Sequence, residues 1–146
     1  MRYPATVTLE DGAFVVIFPA CPGCQTQADT KKEILPMAQE ALEGWLEATM
    51  AVGDAPPVPP KSAHAPRGGK LLWVEVPPSL ALKIELRWAR HQAHLTQSQL
   101  AKRAKVSQQQ IAQLESPDSN PTVDTLVRVA KALGTKLNFT LAPQPG

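Results

Sequence analysis

The chain has 146 residues, 15 basic and 13 acidic, and its 43% apolar and 19% charged content is that of a globular chain with room for one medium domain or two small ones. Wholesale disorder is excluded. The longest apolar run, Phe14 to Phe18, is far short of the about 18 residues that cross a membrane. The amino terminus also lacks the charged-then-apolar layout of a secretory signal, so a cytoplasmic protein without a membrane partner is expected.

Charge is unevenly divided. Residues 1–70 carry six basic and eight acidic side chains, whereas residues 71–146 carry nine basic and five acidic ones. A basic carboxyl-terminal half suits an anionic ligand such as nucleic acid, and a mildly acidic half suits a basic partner if it suits any. Two small domains are therefore expected.

In chain order, Tyr3 to Glu10 alternates in part, Asp11-Gly12 is a hairpin turn signal, and Ala13 to Pro19 is rich in Val, Ile and Phe. An antiparallel hairpin is expected, with Gln25 to Ala28 as a short third strand after the Pro22-Gly23 turn. Thr30 and Glu33 then form a capping-box pattern ahead of a helix whose apolar stripe is Ile34, Ala38, Ala41, Leu42, Trp45 and Leu46. Pro36 removes a backbone donor inside that helix and should bend or delay its first turn. Residues 51–70 hold five prolines and three glycines, a composition that favours extended chain. Leu71 to Val76 reads as a strand that returns to the amino-terminal sheet, because one strand alone does not persist in water. Pro77-Pro78 closes the first domain, giving expected domains of residues 1–78 and 79–146.

The cysteines, Cys21 and Cys24, flank a turn rather than open a helix, and the three histidines offer no pair at zinc-finger spacing. Two reduced, inert thiols are expected, with no metal or other cofactor. Two-metal nuclease chemistry of the ribonuclease-H kind needs about four converging carboxylates, and the strand-borne acids are only Glu10, Asp11 and Glu75. A non-enzymatic protein is expected.

After Pro78 the pattern is helical. Ser79 is placed to cap a helix reaching to about His94, with Leu82, Leu86 and Trp88 or Ala89 inward and Lys83, Arg87 and Arg90 outward. Thr96 to Ala104 reads as a short helix, Lys105-Val106 as a tight turn and Ser107 to Glu115 as a second helix. Ala101 is small where the second helix crosses, Leu100, Val106, Ile111 and Leu114 fill the wedge between the helices, and Ser107 caps the second. Thr122 caps a further helix over Val123 to Leu133, which Gly134 stops. The tail from Thr135 to Leu141 alternates as a strand and is expected to pair with its copy in a dimer.

The run from Thr96 to Glu115 resembles the helix-turn-helix of the lambdoid phage repressors, and Ser79 to Leu141 resembles the wider repressor-like (XRE-type) family. The resemblance implies that Gln108, Gln109 and Gln113 read base edges and that Gln97 caps a helix against a phosphate. A glutamine amide, with one donating and one accepting end, matches the N6 and N7 edge of adenine. Lys102, Arg103 and Ser116 are further phosphate candidates. One departure is Lys105, in the turn position usually given to glycine, which must turn left-handed or distort the turn.

In the first half, Tyr3-Pro4, Gly12, Phe14 to Pro19, the run Pro22 to Gln27, Asp29-Thr30, Ala38, Ala41-Leu42, Trp45-Leu46 and the proline loop resemble the HicB antitoxin family. That resemblance implies a partial ribonuclease-H-like sheet with one helix, followed by an all-α helix-turn-helix domain with a short terminal strand. It also implies a HicA-type toxin partner, a small basic protein that cleaves messenger RNA, and repression of the chain's own operon by a homodimer or higher homo-oligomer on duplex operator DNA. A free-standing repressor with a ligand-sensing first domain is the alternative.

Overall fold

Strand β1 (Arg2–Glu10) turns at Asp11-Gly12 into β2 (Ala13–Ile17) in the computed structural model, which describes residues 1–145. Both turn residues have positive φ, 49° and 81°, as the tight two-residue hairpin requires. Thr6 faces Ile17 and Glu10 faces Ala13 across the pair. Strand β3 (Gln25–Ala28) continues the meander against β2, and β4 (Lys70–Glu75) joins the other side of β1 with Tyr3 opposite Val74. The sheet is antiparallel throughout, in the order β3-β2-β1-β4; the last strand returns to this sheet as expected, and its neighbour there is β1.

Helix α1 (Lys31–Ala51) packs against β2, β3 and β4. Its buried residues Ala38, Leu42, Leu46 and Met50 meet a sheet whose buried residues include Tyr3, Ala5, Val7, Val16 and Val74. The alternation in β1 is what delivers the odd-numbered side chains to this core. The Glu33 carboxylate accepts from the backbone N–H groups of Asp29 and Thr30 at 3.1 and 3.3 Å, fixing the start of the helix. Pro36 does not delay that start: the helix begins five residues earlier, and the one carbonyl the proline leaves without its helical donor belongs to exposed Lys32, where water reaches it.

The proline-rich segment is tied down locally. The buried Tyr3 hydroxyl donates to the Pro57 carbonyl at 2.6 Å, and Pro56 is buried. At Gly69 an added Cβ would lie 2.8 Å from the Val7 carbonyl and 2.7 Å from Pro66, so only glycine lets the chain enter β4 this closely. Trp45 donates its indole N–H to the Pro22 carbonyl at 3.1 Å and so anchors the cysteine turn to α1.

Backbone packing divides the chain into one compact unit from Met1 to Ile84 and a second from Glu85 onward, with α2 (Pro78–Gln92) contributing to both. Helix α2 starts on Pro78, so Ser79 lies inside its first turn. The second unit continues with α3 (Gln97–Ala104), α4 (Gln108–Leu114) and α5 (Val123–Ala132). Its core holds Leu86, Leu100, Ala101, Ala104, Ile111, Leu114, Leu126, Val129 and Ala130, while Val106 is half-buried. Residues 135–141 form no helix or strand in the single chain, and Phe139 and Leu141 are exposed. No helix among the described residues is long and apolar enough to cross a membrane.

Candidate nucleic-acid interface

The second unit is built around two capped helices. Thr96 Oγ1 accepts from the Gln99 N–H at 3.1 Å while Gln99 Oε1 accepts from the Thr96 N–H at 2.9 Å. The same reciprocal box opens α4, where Ser107 Oγ accepts from the Gln110 N–H at 3.1 Å and Gln110 Oε1 from the Ser107 N–H at 2.9 Å. Between them Lys105 takes φ 56° and ψ 44°, the left-handed conformation that the tight turn demands. The turn is therefore not distorted by the absence of glycine.

Capping sorts the glutamines by task. The amides of Gln99 and Gln110 are held in the boxes. Gln108, Gln109 and Gln113 are exposed, and their side chains make no hydrogen bond to another described residue. A free amide on a rigid helix can donate and accept at once along one edge of a base with little loss of backbone freedom.

Sequence reasoning missed what holds α4 in place. Lys83, Arg87 and Arg90, expected to point outward, are 4%, 4% and 9% exposed. Arg90 donates from Nε to Glu115 Oε1 and from Nη2 to Glu115 Oε2 at 2.9 Å, a forked pair. Arg90 Nη1 also reaches the Leu95 carbonyl at 2.9 Å. Arg87 donates to the Glu115 carbonyl at 3.2 Å, and its Nε lies 3.4 Å from Glu115 Oε2. Burial alone would raise the Glu115 carboxyl, but hydrogen bonds from Arg90 and Gln97 and the charges of Arg90 and Arg87 outweigh it and hold the group below the usual carboxylate range. The clue in the sequence was a solitary acid closing α4, with two arginines three residues apart on one face of α2.

The remaining phosphate candidates are dispersed. Gln97 is half-buried and gives one amide hydrogen to Glu115 Oε2 at 3.0 Å, which leaves its second hydrogen and its oxygen for another partner. Ser116 joins Gln113 along a groove of about 530 Å³ whose lining also includes Ser119, Asn120, Thr122, Thr125 and the acidic Asp118. Lys102 and Arg103 are exposed on the last turn of α3, at the opposite end of that helix from Gln97.

In the first unit Cys21 and Cys24 are buried free thiols. Burial pushes Cys21 up to about 12, with the Cys24 charge adding to it, and burial pushes Cys24 up to about 11. Such thiols stay protonated and poorly nucleophilic. Among the described residues no three or more His, Cys, Asp or Glu side chains gather as a metal-binding set.

Comparison with known proteins accounts for both units. Residues 3–67 match the family described as HicB-like antitoxin of bacterial toxin-antitoxin system, and residues 86–139 match the helix-turn-helix family. The chain is 34% identical to Antitoxin HicB 1 of Photorhabdus laumondii over 142 residues, covering 97% of this chain and 87% of that protein. It is 32% identical to Antitoxin HicB of Escherichia coli K12 over 143 residues, 97% of this chain and 99% of the relative. A solved structure titled "HicA3 and HicB3 toxin-antitoxin complex" aligns with 53% of this chain and 100% of its own, at 35% identity and a TM-score of 0.47. With a sheet-and-helix unit and a helix-turn-helix unit each matched, and relatives aligned along nearly the whole length, the chain belongs to the HicB antitoxin family.

Proposed function

We propose that this chain is a cytoplasmic, non-enzymatic antitoxin that binds a HicA-type toxin through its first domain and represses its own operon through its second. In this division the toxin-binding domain is residues 1–78, including the loop over 51–70, and the DNA-binding and dimerisation domain is residues 79–146. The single observation that carries the DNA half is the set of exposed amides of Gln108, Gln109 and Gln113 on a helix fixed by its cap and by the Arg87–Arg90–Glu115 cluster. Gln108, Gln109 and Gln113 read base edges, and Gln97, Lys102, Arg103 and Ser116 engage phosphates.

One recognition helix reads few base pairs, so the active repressor is a homodimer or a higher homo-oligomer spanning two half-sites about one helical turn apart. The exposed tail residues Phe139 and Leu141 supply part of that contact when Thr135 to Leu141 pairs with its copy. Truncation before Thr135 should dissociate the dimer in sedimentation experiments, and a truncated chain that remains a tight dimer would remove the tail from the interface.

The toxin half rests on family membership and on the acidic balance of residues 1–70, which suits a basic partner. Co-expression with the product of a neighbouring short reading frame is the test. The expected result is a complex that co-purifies with the intact chain and survives loss of residues 85–146, which leaves the first compact unit whole. A neighbouring product that is harmless alone and does not co-purify would favour a free-standing repressor.

A further inference from the structure

The glutamine helix does not explain a second feature of the same unit. Arg103 and Lys105, at the end of α3 and in the turn, face Arg128 and Lys131 of α5 across a groove of about 610 Å³ otherwise lined only by Ala104 and Ala132. All four residues are exposed, and none of their side chains makes a hydrogen bond or ion pair with another described residue. Like charges gathered without a counterion repel one another, and that repulsion is relieved when an anion enters. A second observation bears on the same place. Lys105 holds φ 56°, where glycine would sit without strain, so a cation stands at the one position of the groove where the backbone disfavours any side chain.

The groove lies at the carboxyl end of α3, whereas Gln97 lies at its amino end, so the two are separate anchoring points about 12 Å apart along eight residues of helix. We infer that the groove of Arg103, Lys105, Arg128 and Lys131 binds the phosphodiester backbone of the duplex flanking the bases read by α4. The inference rests on the DNA-binding reading above and extends the footprint beyond the recognised half-site. The contact is independent of sequence, because backbone phosphates carry no base identity. Occupancy of the groove neutralises cations that the free protein leaves in repulsion.

The test uses the full chain and two duplexes from the chain's own promoter centred on its binding site, one of about 20 base pairs and one of about 40, the longer extending beyond two half-sites a helical turn apart. Fluorescence anisotropy between about 50 and about 200 mM salt yields the slope of log affinity against log salt, to which each neutralised phosphate contributes about 0.9. The Arg128→Ala, Lys131→Ala double variant should lower the slope by about 2 on the long duplex and leave it unchanged on the short one. The charge-preserving pair Arg128→Lys, Lys131→Arg should keep the original slope. A purely local role, cations placed at helix ends, would move the melting temperature but not the slope, and an unchanged slope on the long duplex overturns the inference. So does a fall of equal size on the short duplex, which would put these residues inside the recognised site. Either result leaves the DNA-binding reading intact. Failure of the unsubstituted chain to bind any duplex removes both.

Discussion

The two units are held together by opposite means. The first is an apolar sandwich of helix on sheet, in which Leu42, Leu46 and Val16 are fully buried and polar groups serve to pin loops, as Tyr3 does at Pro57. The second is a small helical cluster whose interior includes two arginines and a glutamate. A sheet with a covering helix excludes water by area alone, whereas four short helices bury little and use a buried ionic pair to fix the angle between α2 and α4. The forked Arg90–Glu115 pair adds directional contacts of fixed geometry to the apolar packing of α4, which suits a helix that must enter a groove in one register.

The sharpest way to break this contrast is Glu115→Ala. It strands Arg87 and Arg90 in the interior and should cost the second unit about 3 to 5 kcal/mol. Duplex binding should vanish while toxin binding persists, as read by anisotropy and co-purification. Loss of both would mean that the units do not function separately. Leu42→Ala is the counterpart in the first unit, expected to cost about 2 to 5 kcal/mol through lost burial and a residual cavity. Toxin neutralisation in a growth assay should fail while duplex affinity is retained.

Acid and alkali should divide the units as well. The carboxyl of Glu115 is lowered in the folded state, so its contribution is complete above the ordinary carboxylate range and is lost as pH falls through the folded value. The thiols of Cys21 and Cys24 are raised to about 12 and about 11, so their contribution is complete below the ordinary thiol value and is lost as pH rises toward those values. Calorimetry across pH should show the second unit weakening first in acid, a trend that Glu115→Gln abolishes. Transitions that move in parallel at both extremes would contradict the assignment. The smallest expected effect is Lys105→Gly, which relieves left-handed strain and should stabilise the second unit by up to about 1 kcal/mol. A lower melting temperature instead would mean that the turn is not strained.

What could be read from the sequence follows the same division. The hairpin turn at Asp11-Gly12, the Thr30–Glu33 box and the apolar stripe of α1 announce the first unit because turns, caps and periodicity are local signals. The return of β4 to the amino-terminal sheet was legible from the need of a lone strand for a partner, but its pairing with β1 was not. Helices α3 and α4 and the Ser107 cap were equally plain, and so was the left-handed Lys105 as one of two outcomes. The buried Arg87 and Arg90 were not, because charge normally marks the solvent face and only a distant partner, Glu115, reverses that rule. The basic groove escaped for a related reason: Arg103 and Lys105 lie more than twenty residues from Arg128 and Lys131, and only folding brings them to one place.

The central claim is that the exposed amides of α4 read bases. Its most direct test is the affinity of the Gln108→Ala, Gln109→Ala double variant for a duplex from the chain's own promoter and for the same composition scrambled, at one salt concentration. Promoter affinity should weaken by about 1 to 3 kcal/mol for each amide removed, with scrambled-duplex affinity unchanged. Equal losses on both duplexes, or no loss on either, would contradict it.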